Sequence, residues 1–232
     1  LLKVLEGESQ ESLHKQFWLL HERALPDLGA NVKCGNSLID YDFLRESQLD
    51  LLDADARSKV NCFAWEREFP RVFGHKNGGF DAVVANPPYV LLQGDLRDDA
   101  QLIYFRAHYA VASFKLDTYH LFMERGIRLT RTGGRCSMIT PANFLTNNHL
   151  ARLRRLLLES ASVDHMVVIN KGVFAGASVD NAVFVLVPGP RLMGSFPLIT
   201  ADPSPSGFRQ VAQARVSVDR ALVDEHVLLT QG

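Results

Sequence analysis

The sequence has no long hydrophobic run, little cysteine and almost no net charge. No apolar stretch approaches the ~20 residues needed to span a membrane, and no signal peptide is recognisable. The three cysteines, Cys34, Cys62 and Cys136, lie far apart, so we predict reduced, buried thiols in a cytoplasmic protein. None of the eight histidines shows a metal-site spacing, so no metal is expected. A net charge of −1 neither indicates nor excludes nucleic-acid binding, because charge distribution matters more than the total.

The apolar content is sufficient for one sizeable α/β domain, at 47% of 232 residues. Hydrophobic periodicity and the positions of glycine and proline give the predicted order of elements. Helices are predicted at 12–25, 43–60, 117–130 and 147–158, and strands at 31–34, 82–85, 136–140, 166–169 and 183–187. Residues 90–114 are predicted to be a long polar loop, and the sequence after Pro190 is typical of a loop.

One stretch organises the chain, Phe80 to Tyr89, in which an apolar strand leads directly into Asn86-Pro87-Pro88-Tyr89. Four small or β-branched apolar residues, 82–85, suit a strand covered on both faces, as in a parallel α/β sheet. The two prolines fix φ and lack an N–H, so the strand must end there in a stiff turn. The carboxyl end of a strand in an open α/β sheet is where ligands bind.

The chemistry of this turn suits an exocyclic amine on a heteroaromatic ring. Such an amine is a poor nucleophile because its lone pair is delocalised into the ring. The side-chain oxygen of Asn86 and the main-chain carbonyl of Pro87 could accept its two N–H bonds and make the nitrogen more tetrahedral. Tyr89 offers a face on which a flat base could stack, worth about 1–3 kcal/mol. The alternative is an ordinary strand-to-loop turn.

The segments on either side carry a family resemblance. Asn86-Pro87-Pro88-Tyr89 after a strand resembles the catalytic motif of amino-methyltransferases that use S-adenosylmethionine, above all the adenine-N6 DNA methyltransferases. The motif alone also resembles that of protein-glutamine and some RNA methyltransferases. The sequence before this motif is similar to that of the large type IIG restriction-modification enzymes. The resemblance spans roughly residues 15 to 188. Its segments are 31–39, 63–70, Val72-Phe73 and Gly78-Gly79-Phe80-Asp81.

The resemblance implies a Rossmann-like, S-adenosylmethionine-dependent methyltransferase fold with a mostly parallel sheet. It places Asn36 and Ser37 at the adenine of the cofactor and Phe122 beside its methionine part. It makes Asn86, Pro87, Pro88 and Tyr89 catalytic, and it places Tyr89 and Phe174 against a flipped adenine of double-stranded DNA. For Asn36, Phe122 and Phe174, the bland alternatives are a Gly-Asn turn and two core phenylalanines.

Two family motifs are not found before Asn31: the Gly-rich loop and the acidic residue that holds the cofactor ribose. We therefore expect an N-terminally truncated catalytic core at 1–190. Residues 191–232 are expected to lead towards a target-recognition domain, and the remainder of the parent chain is an expected partner. On this interpretation, the isolated chain binds S-adenosylmethionine weakly or not at all.

The function expected from these residues is methylation of adenine in DNA within a restriction-modification or phage-defence enzyme. Two alternatives remain open. The first is methylation of an RNA base or of a glutamine side chain, which a methylation assay on DNA, RNA and protein would distinguish. The second is a non-catalytic DNA-binding module, which cofactor titration would test. The arginine-rich stretch 121–160 is either a DNA-facing surface or a solvated helix face.

Overall fold

The computed structural model describes residues 28–47, 54–113, 115–170, 180–190, 194–205 and 207–218. The chain divides into two compact units, 1–35 and 36–232. In the described part of the first unit, the main-chain N–H groups of Asn31 and Val32 both donate to the Leu28 carbonyl, forming a turn. The strand predicted at 31–34 is not found there. The predicted helix at 12–25 lies outside the described residues.

The second unit is built on a six-stranded sheet in the order β1-β2-β4-β3-β5-β6. The strands are β1 Phe80–Ala85, β2 Thr130–Pro141, β3 Ala161–Ile169, β4 Asn181–Pro188, β5 Ser195–Ser204 and β6 Gly207–Ser217. The pairs β1–β2 and β3–β5 are parallel, whereas β4 is antiparallel to both of its neighbours and β6 is antiparallel to β5. Four strands therefore point in one direction, and the sheet is mixed.

Seven α-helices lie in the described residues. They are α1 Asp42–Glu46, α2 Ala54–Val60, α3 Trp65–Glu68, α4 Pro70–Phe73, α5 Asp99–His108, α6 Thr118–Leu129 and α7 Ala151–Ser160. Short 3-10 turns occur at Gly94–Leu96, Ala142–Leu145 and Asn148–Leu150. The α/β class predicted from the sequence is confirmed.

The core lies where α5, α6 and α7 pack with the central strands. Its largest fully buried side chains include Phe43, Phe105, Tyr109, Tyr119, Phe144 and Phe184. The contact between α6 and β2 is close, because a Cβ added to Gly126 would lie 2.2 Å from Cε of Met138. Glu124 of α6 is buried, and its two carboxylate oxygens accept from the main-chain N–H groups of Ala110 and Val111. These bonds satisfy the charged group and join α6 to the end of α5.

The helices predicted around 117–130 and 147–158 are confirmed as α6 and α7. Asp117 caps α6, and its side chain accepts from the main-chain N–H of Tyr119. Asn147 caps the turn before α7 by accepting from the main-chain N–H of His149 at 2.9 Å. The apolar faces of both helices are buried as expected from their 3.6-residue period.

The prediction of a loop at 90–114 is wrong for residues 99–108, which form α5. Asp98 caps this helix by accepting from the main-chain N–H of Gln101. Its buried face consists of Leu102, Tyr104 and Phe105, while the remaining side chains are polar or exposed. Tertiary packing of this narrow face stabilises the helix, whereas the polar composition of the segment gave no helical signal in the sequence.

The loop predicted after Pro190 is also wrong for most of the described residues. β5 pairs in parallel with β3, and β6 continues the sheet through a hairpin. The expected division at residue 190 therefore does not coincide with a change of structure, since β5 and β6 belong to the same sheet as β1 to β4.

Three smaller expectations are corrected. The strand 82–85 was expected to be covered on both faces, but the side chain of Val84 is 82% exposed, so among the described residues one face of β1 is not covered. Residues 131–135 lie between the helix predicted at 117–130 and the strand predicted at 136–140, but β2 begins at Thr130 and includes them. Cys62 and Cys136 are buried as predicted, whereas Cys34 is exposed.

None of the described helices is both long enough and apolar enough to cross a membrane.

Candidate active site

The turn Asn86-Pro87-Pro88-Tyr89 lies at the carboxyl end of β1. Pro87 is buried, whereas the side chain of Asn86 is exposed. The hydroxyl of Tyr89 lies 3.0 Å from Oδ1 of Asn86 and 2.9 Å from the main-chain oxygen of Ile139 on β2. The turn is thus held against the neighbouring parallel strand, with the amide of Asn86 presented to solvent.

The hydroxyl of Tyr89 has one proton and two acceptors within reach. Burial raises the pKa of this hydroxyl, so it stays protonated at neutral pH. When it donates to Ile139, the side-chain oxygen of Asn86 is available to another donor. No described residue donates a hydrogen bond to the Pro87 carbonyl either. These are the two oxygens that the sequence analysis named as acceptors, and their role towards a base stays a prediction.

The ring of Tyr89 is half-buried and packs edge-on against Tyr119, with ring centroids 6.1 Å apart. The hydroxyl of Tyr119 donates to Oδ1 of Asn143 at 2.6 Å. Asn143 lies in the 3-10 turn that follows β2, next to the carboxyl end of that strand. Tyr119 and Asn143 were not recognised from the sequence as neighbours of the turn.

A second contact holds the turn from its other side. Thr118, the first residue of α6, bonds through its side chain to both Pro88 and Val90. A short antiparallel bridge between Leu91 and Asp117 continues this pairing. The sequence gave no signal for Thr118, because the contact joins residues about thirty positions apart without any local pattern.

The residues expected at the cofactor lie in two places. Asn36 forms a parallel bridge with Cys62, and its Oδ1 accepts from the main-chain N–H of Leu38 at 3.2 Å. The indole N–H of Trp65 donates a hydrogen bond to the main-chain oxygen of Ser37. The Gly-Asn turn is therefore present, and the amide nitrogen of Asn36 donates to none of the described residues.

Phe122 lies on α6, one turn beyond Thr118, and packs partly buried against the core. Among the described residues, no hydrogen bond or ring contact joins Asn36, Ser37 or Phe122 to Asn86. Phe174 lies outside the described residues.

The start of α6 has one half-buried ionisable group, its cap Asp117, and one buried group, His120. Burial raises the pKa of Asp117 despite the N–H groups that its carboxylate accepts. Burial lowers the pKa of His120 to about 4, so its imidazole is neutral at pH 7. Nδ1 of His120 accepts from the main-chain N–H of Asp117, which leaves the proton on Nε2, and this buried nitrogen has no acceptor among the described residues. This helix end therefore contains an unsatisfied donor.

Much of the arginine-rich stretch serves the fold. Arg154 is buried and donates to the carbonyls of Phe144 and Asn147. Arg125 donates to the hydroxyl of Tyr109 and the carbonyl of Leu38. Arg128 pairs with buried Glu124. Arg154 is buried, Arg125 is half-buried and Arg128 is exposed, and each is bonded to the protein itself, which neither of the two predicted interpretations describes.

One further group has metal-ligand chemistry: Asp42, Glu46 and His108. Nε2 of His108 lies 3.0 Å from a carboxylate oxygen of Glu46, and the ring of Tyr104 stacks on that of His108. The hydroxyl of Tyr104 donates to Asp42 at 2.8 Å. These pairings satisfy the three ligand-type side chains and join α1 to α5.

At the end of β1 the chain therefore presents an exposed asparagine in a turn that is bonded to both α6 and β2. The sequence matches the Eco57I restriction-modification methylase family over residues 6–174, which is most of the chain. The chain therefore belongs to this family, and the restriction-modification methyltransferase resemblance seen in the sequence is confirmed.

Two curated relatives extend this match. The type II restriction enzyme and methyltransferase RM.Eco57I of Escherichia coli is 29% identical over 168 residues, covering 72% of this chain and 15% of the relative. A putative type II restriction enzyme and methyltransferase, RM.MjaORFECS2P of Methanocaldococcus jannaschii, is 24% identical over 203 residues, covering 88% and 16%. The chain thus spans about one sixth of the length of these relatives.

The type IIG restriction endonuclease BpuSI is among the solved structures that are similar to this chain. It aligns with a TM-score of 0.47 at 18% identity, over 63% of this chain and 20% of BpuSI.

Proposed function

We propose that this chain contributes the catalytic turn of an enzyme that transfers a methyl group from S-adenosylmethionine to the exocyclic amine of adenine in double-stranded DNA. The enzyme would act in a restriction-modification or phage-defence system. The observation that carries the proposal is the exposed amide of Asn86 at the end of β1, beside the carbonyl of Pro87, to which no residue in the described part of the chain donates a hydrogen bond. Family membership supports the same chemistry.

The two acceptors would act on the nitrogen of the base. The side-chain oxygen of Asn86 and the carbonyl of Pro87 each accept one N–H of the amine, which draws its lone pair out of conjugation with the ring. Because the prolines fix the turn, the acceptors need little reorganisation when the base arrives, and such positioning contributes to catalysis. Cofactor chemistry is simple here: S-adenosylmethionine, when bound, supplies an electrophilic methyl group on its sulfonium.

The base must leave the duplex to reach Asn86, at a cost of a few kcal/mol. The half-buried ring of Tyr89 offers one face to the base, and stacking there would offset part of that cost. Phe174 is proposed as the second wall of this base pocket.

The proposed cofactor residues are Asn36, Ser37 and Phe122. The N–H groups of the Asn36 amide, which have no acceptor among the described residues, suit a ring nitrogen of the cofactor adenine, since the side-chain oxygen already accepts from Leu38. Phe122 is partly exposed and can pack against an apolar part of a ligand. Calorimetric titration of S-adenosylmethionine into the complete protein tests these roles, with Asn36→Ala expected to weaken binding.

The experiment that tests the reaction is a transfer assay with radiolabelled S-adenosylmethionine and three acceptors: duplex DNA, RNA and protein. We expect label in DNA, with N6-methyladenine as the modified nucleoside after enzymatic hydrolysis and mass spectrometry. Label in RNA or on a glutamine side chain would show that RNA or protein, and not DNA, is the substrate. Saturable DNA binding without any transfer would make the protein a binding module.

A further inference from the structure

The turn that carries Asn86 cannot hold itself in place through its own main-chain donors. Pro87 and Pro88 have no N–H, so the first main-chain donors after Asn86 are those of Tyr89 and Val90. Any scaffold that fixes the turn must therefore use its carbonyls, or the N–H groups that follow the prolines.

Thr118 makes both kinds of contact with one side chain. Its hydroxyl donates to the carbonyl of Pro88 at 2.6 Å and accepts from the main-chain N–H of Val90 at 3.1 Å. The main-chain N–H of Thr118 donates to the Val90 carbonyl at 3.0 Å, and the N–H of Leu92 donates to the Leu116 carbonyl at 2.9 Å. The hydroxyl thus uses its only proton and a lone pair on the same short segment.

The scaffold behind Thr118 is rigid. Thr118 is the first residue of α6, and the capping box of Asp117 and His120 satisfies the main-chain N–H groups at this end of the helix. The adjacent Tyr119 is 1% exposed and bonded to Asn143. The fixed end of this contact is therefore part of the core.

The two prolines transmit this restraint to the acceptors. Because φ of Pro87 and Pro88 is fixed near −65°, holding the carbonyl of Pro88 limits the orientation of the Pro87 carbonyl and of the Asn86 main chain. The hydroxyl of Tyr89 restrains the other side of the turn at Ile139. The turn is thereby held between α6 and β2.

We infer that Thr118 is a positioning residue for methyl transfer: its hydroxyl sets the place of the Asn86 and Pro87 acceptors without touching the substrate. This inference rests on the proposed function. Small misplacements of acceptors are costly, since an error of about 1 Å can lower a rate by about 100-fold.

The chain offers a matched control at the opposite end of the same helix. The hydroxyl of Thr130 donates to the carbonyl of Gly126 at 2.7 Å and is buried. Thr118→Val removes the two hydrogen bonds of its hydroxyl, Thr130→Val removes the bond to Gly126, and both changes preserve the shape of the side chain. Only the bonds of Thr118 lie at the turn.

The test compares Thr118→Val, Thr118→Ser and Thr130→Val in the complete protein, by single-turnover methylation, by DNA affinity and by melting temperature. For Thr118→Val we expect a rate loss of about 10- to 100-fold, with DNA affinity close to that of wild type. Thr118→Ser should recover most of the rate because it keeps the hydroxyl. Thr130→Val should lower the melting temperature and keep the rate. A wild-type rate in Thr118→Val, or an equal rate loss in Thr130→Val, would overturn the inference.

Hydrogen exchange at the main-chain N–H of Val90 is a second readout that does not depend on methylation. It should be at least several-fold faster in Thr118→Val than in wild type or Thr118→Ser. Unchanged exchange contradicts the restraint, whatever the enzyme does. Absence of methyl transfer by the wild-type protein, with the exchange result intact, would instead refute the proposed function and with it the catalytic role of the restraint.

Discussion

Oδ1 of Asn86 lies 3.0 Å from the hydroxyl of Tyr89, which also reaches the carbonyl of Ile139. One tyrosine proton is shared between the proposed catalytic amide and the neighbouring strand. A base amine that approaches Asn86 would compete with the tyrosine hydroxyl for Oδ1. When the amine binds there, the hydroxyl of Tyr89 can donate to the Ile139 carbonyl instead. The hydroxyl of Tyr89 therefore couples the position of Asn86 to β2.

Asn86→Ala should abolish DNA methylation and leave the fold unchanged. The substitution removes the side-chain acceptor, and the exposed amide packs against no core residue. Single-turnover methylation and the melting temperature measure the two effects. Asn77→Ala is the control, because Asn77 is an exposed asparagine that makes two bonds to the main chain of Thr132, and it should retain activity. Methylation by Asn86→Ala near the wild-type rate would show that the catalytic assignment is wrong.

Tyr89→Phe should lower the free energy of unfolding by about 0.5–1.5 kcal/mol, because it removes the bond to the Ile139 carbonyl. This contact with the neighbouring strand was not visible in the sequence. Urea denaturation measures the loss, with Tyr119→Phe as a comparison that removes the bond to Asn143.

Tyr89→Ala separates the ring from the hydroxyl. If the ring stacks on a flipped base, this variant should lose roughly 1–3 kcal/mol of affinity for DNA carrying a mismatched target, whereas Tyr89→Phe keeps that affinity. Equal DNA affinity in all three proteins would make Tyr89 a purely structural residue.

The sequence predicted those parts of the fold that repeat a local period. β2 and β4 were recognised because their apolar runs end at proline, and α6 because its apolar residues recur at helix spacing. α5 was missed because only Leu102, Tyr104 and Phe105 are buried among its polar residues. β5 was missed because the sequence after Pro190 suggested a loop, although Pro203 lies beside the hairpin turn, opposite Phe208.

The candidate site divides in the same way. Asn86, Pro87 and Tyr89 are adjacent in the sequence, so their chemistry was visible there. The contacts of Thr118 with Pro88 and of Tyr89 with Ile139 join distant parts of the chain, and no local pattern encodes them. The exposure of Val84 depends on which elements cover that face of β1, and hydrophobic periodicity does not specify them.

His120 should make the protein less stable at acidic pH. Burial lowers its folded-state pKa to about 4, below the unfolded value of about 6.5, so the unfolded state binds more protons between these values. Stability is therefore lost as pH falls from about 6.5 to about 4, by up to roughly 3 kcal/mol from this residue. His120→Asn removes the titration and keeps an acceptor for the N–H of Asp117. Urea denaturation at pH 7, 5.5 and 4.5 should show a smaller loss in this variant than in wild type or in the control His75→Asn, in which an exposed histidine is replaced.

Gly79→Ala should be one of the most destabilising single-methyl changes near the site. Gly79 has φ +137°, and an added Cβ would lie 2.6 Å from the main-chain nitrogen of Arg131 and 3.0 Å from the carbonyl of Leu129. The contact atoms belong to the main chain at the start of β2, so they cannot move aside without disturbing the parallel pairing of β1 and β2.

Gly94→Ala is the matched control, because Gly94 also has positive φ, at +58°, but nothing lies within 4 Å of its added Cβ. The cost of backbone conformation alone, about 1–2 kcal/mol, is expected at Gly94, and a larger loss is expected at Gly79. Melting temperatures of the two variants measure the difference. Since β1 carries Asn86 at its other end, Gly79→Ala should also lower the methylation rate, whereas Gly94→Ala should not. Equal melting temperatures in the two variants would show that the main chains of β1 and β2 are less closely packed at Gly79 than these distances require.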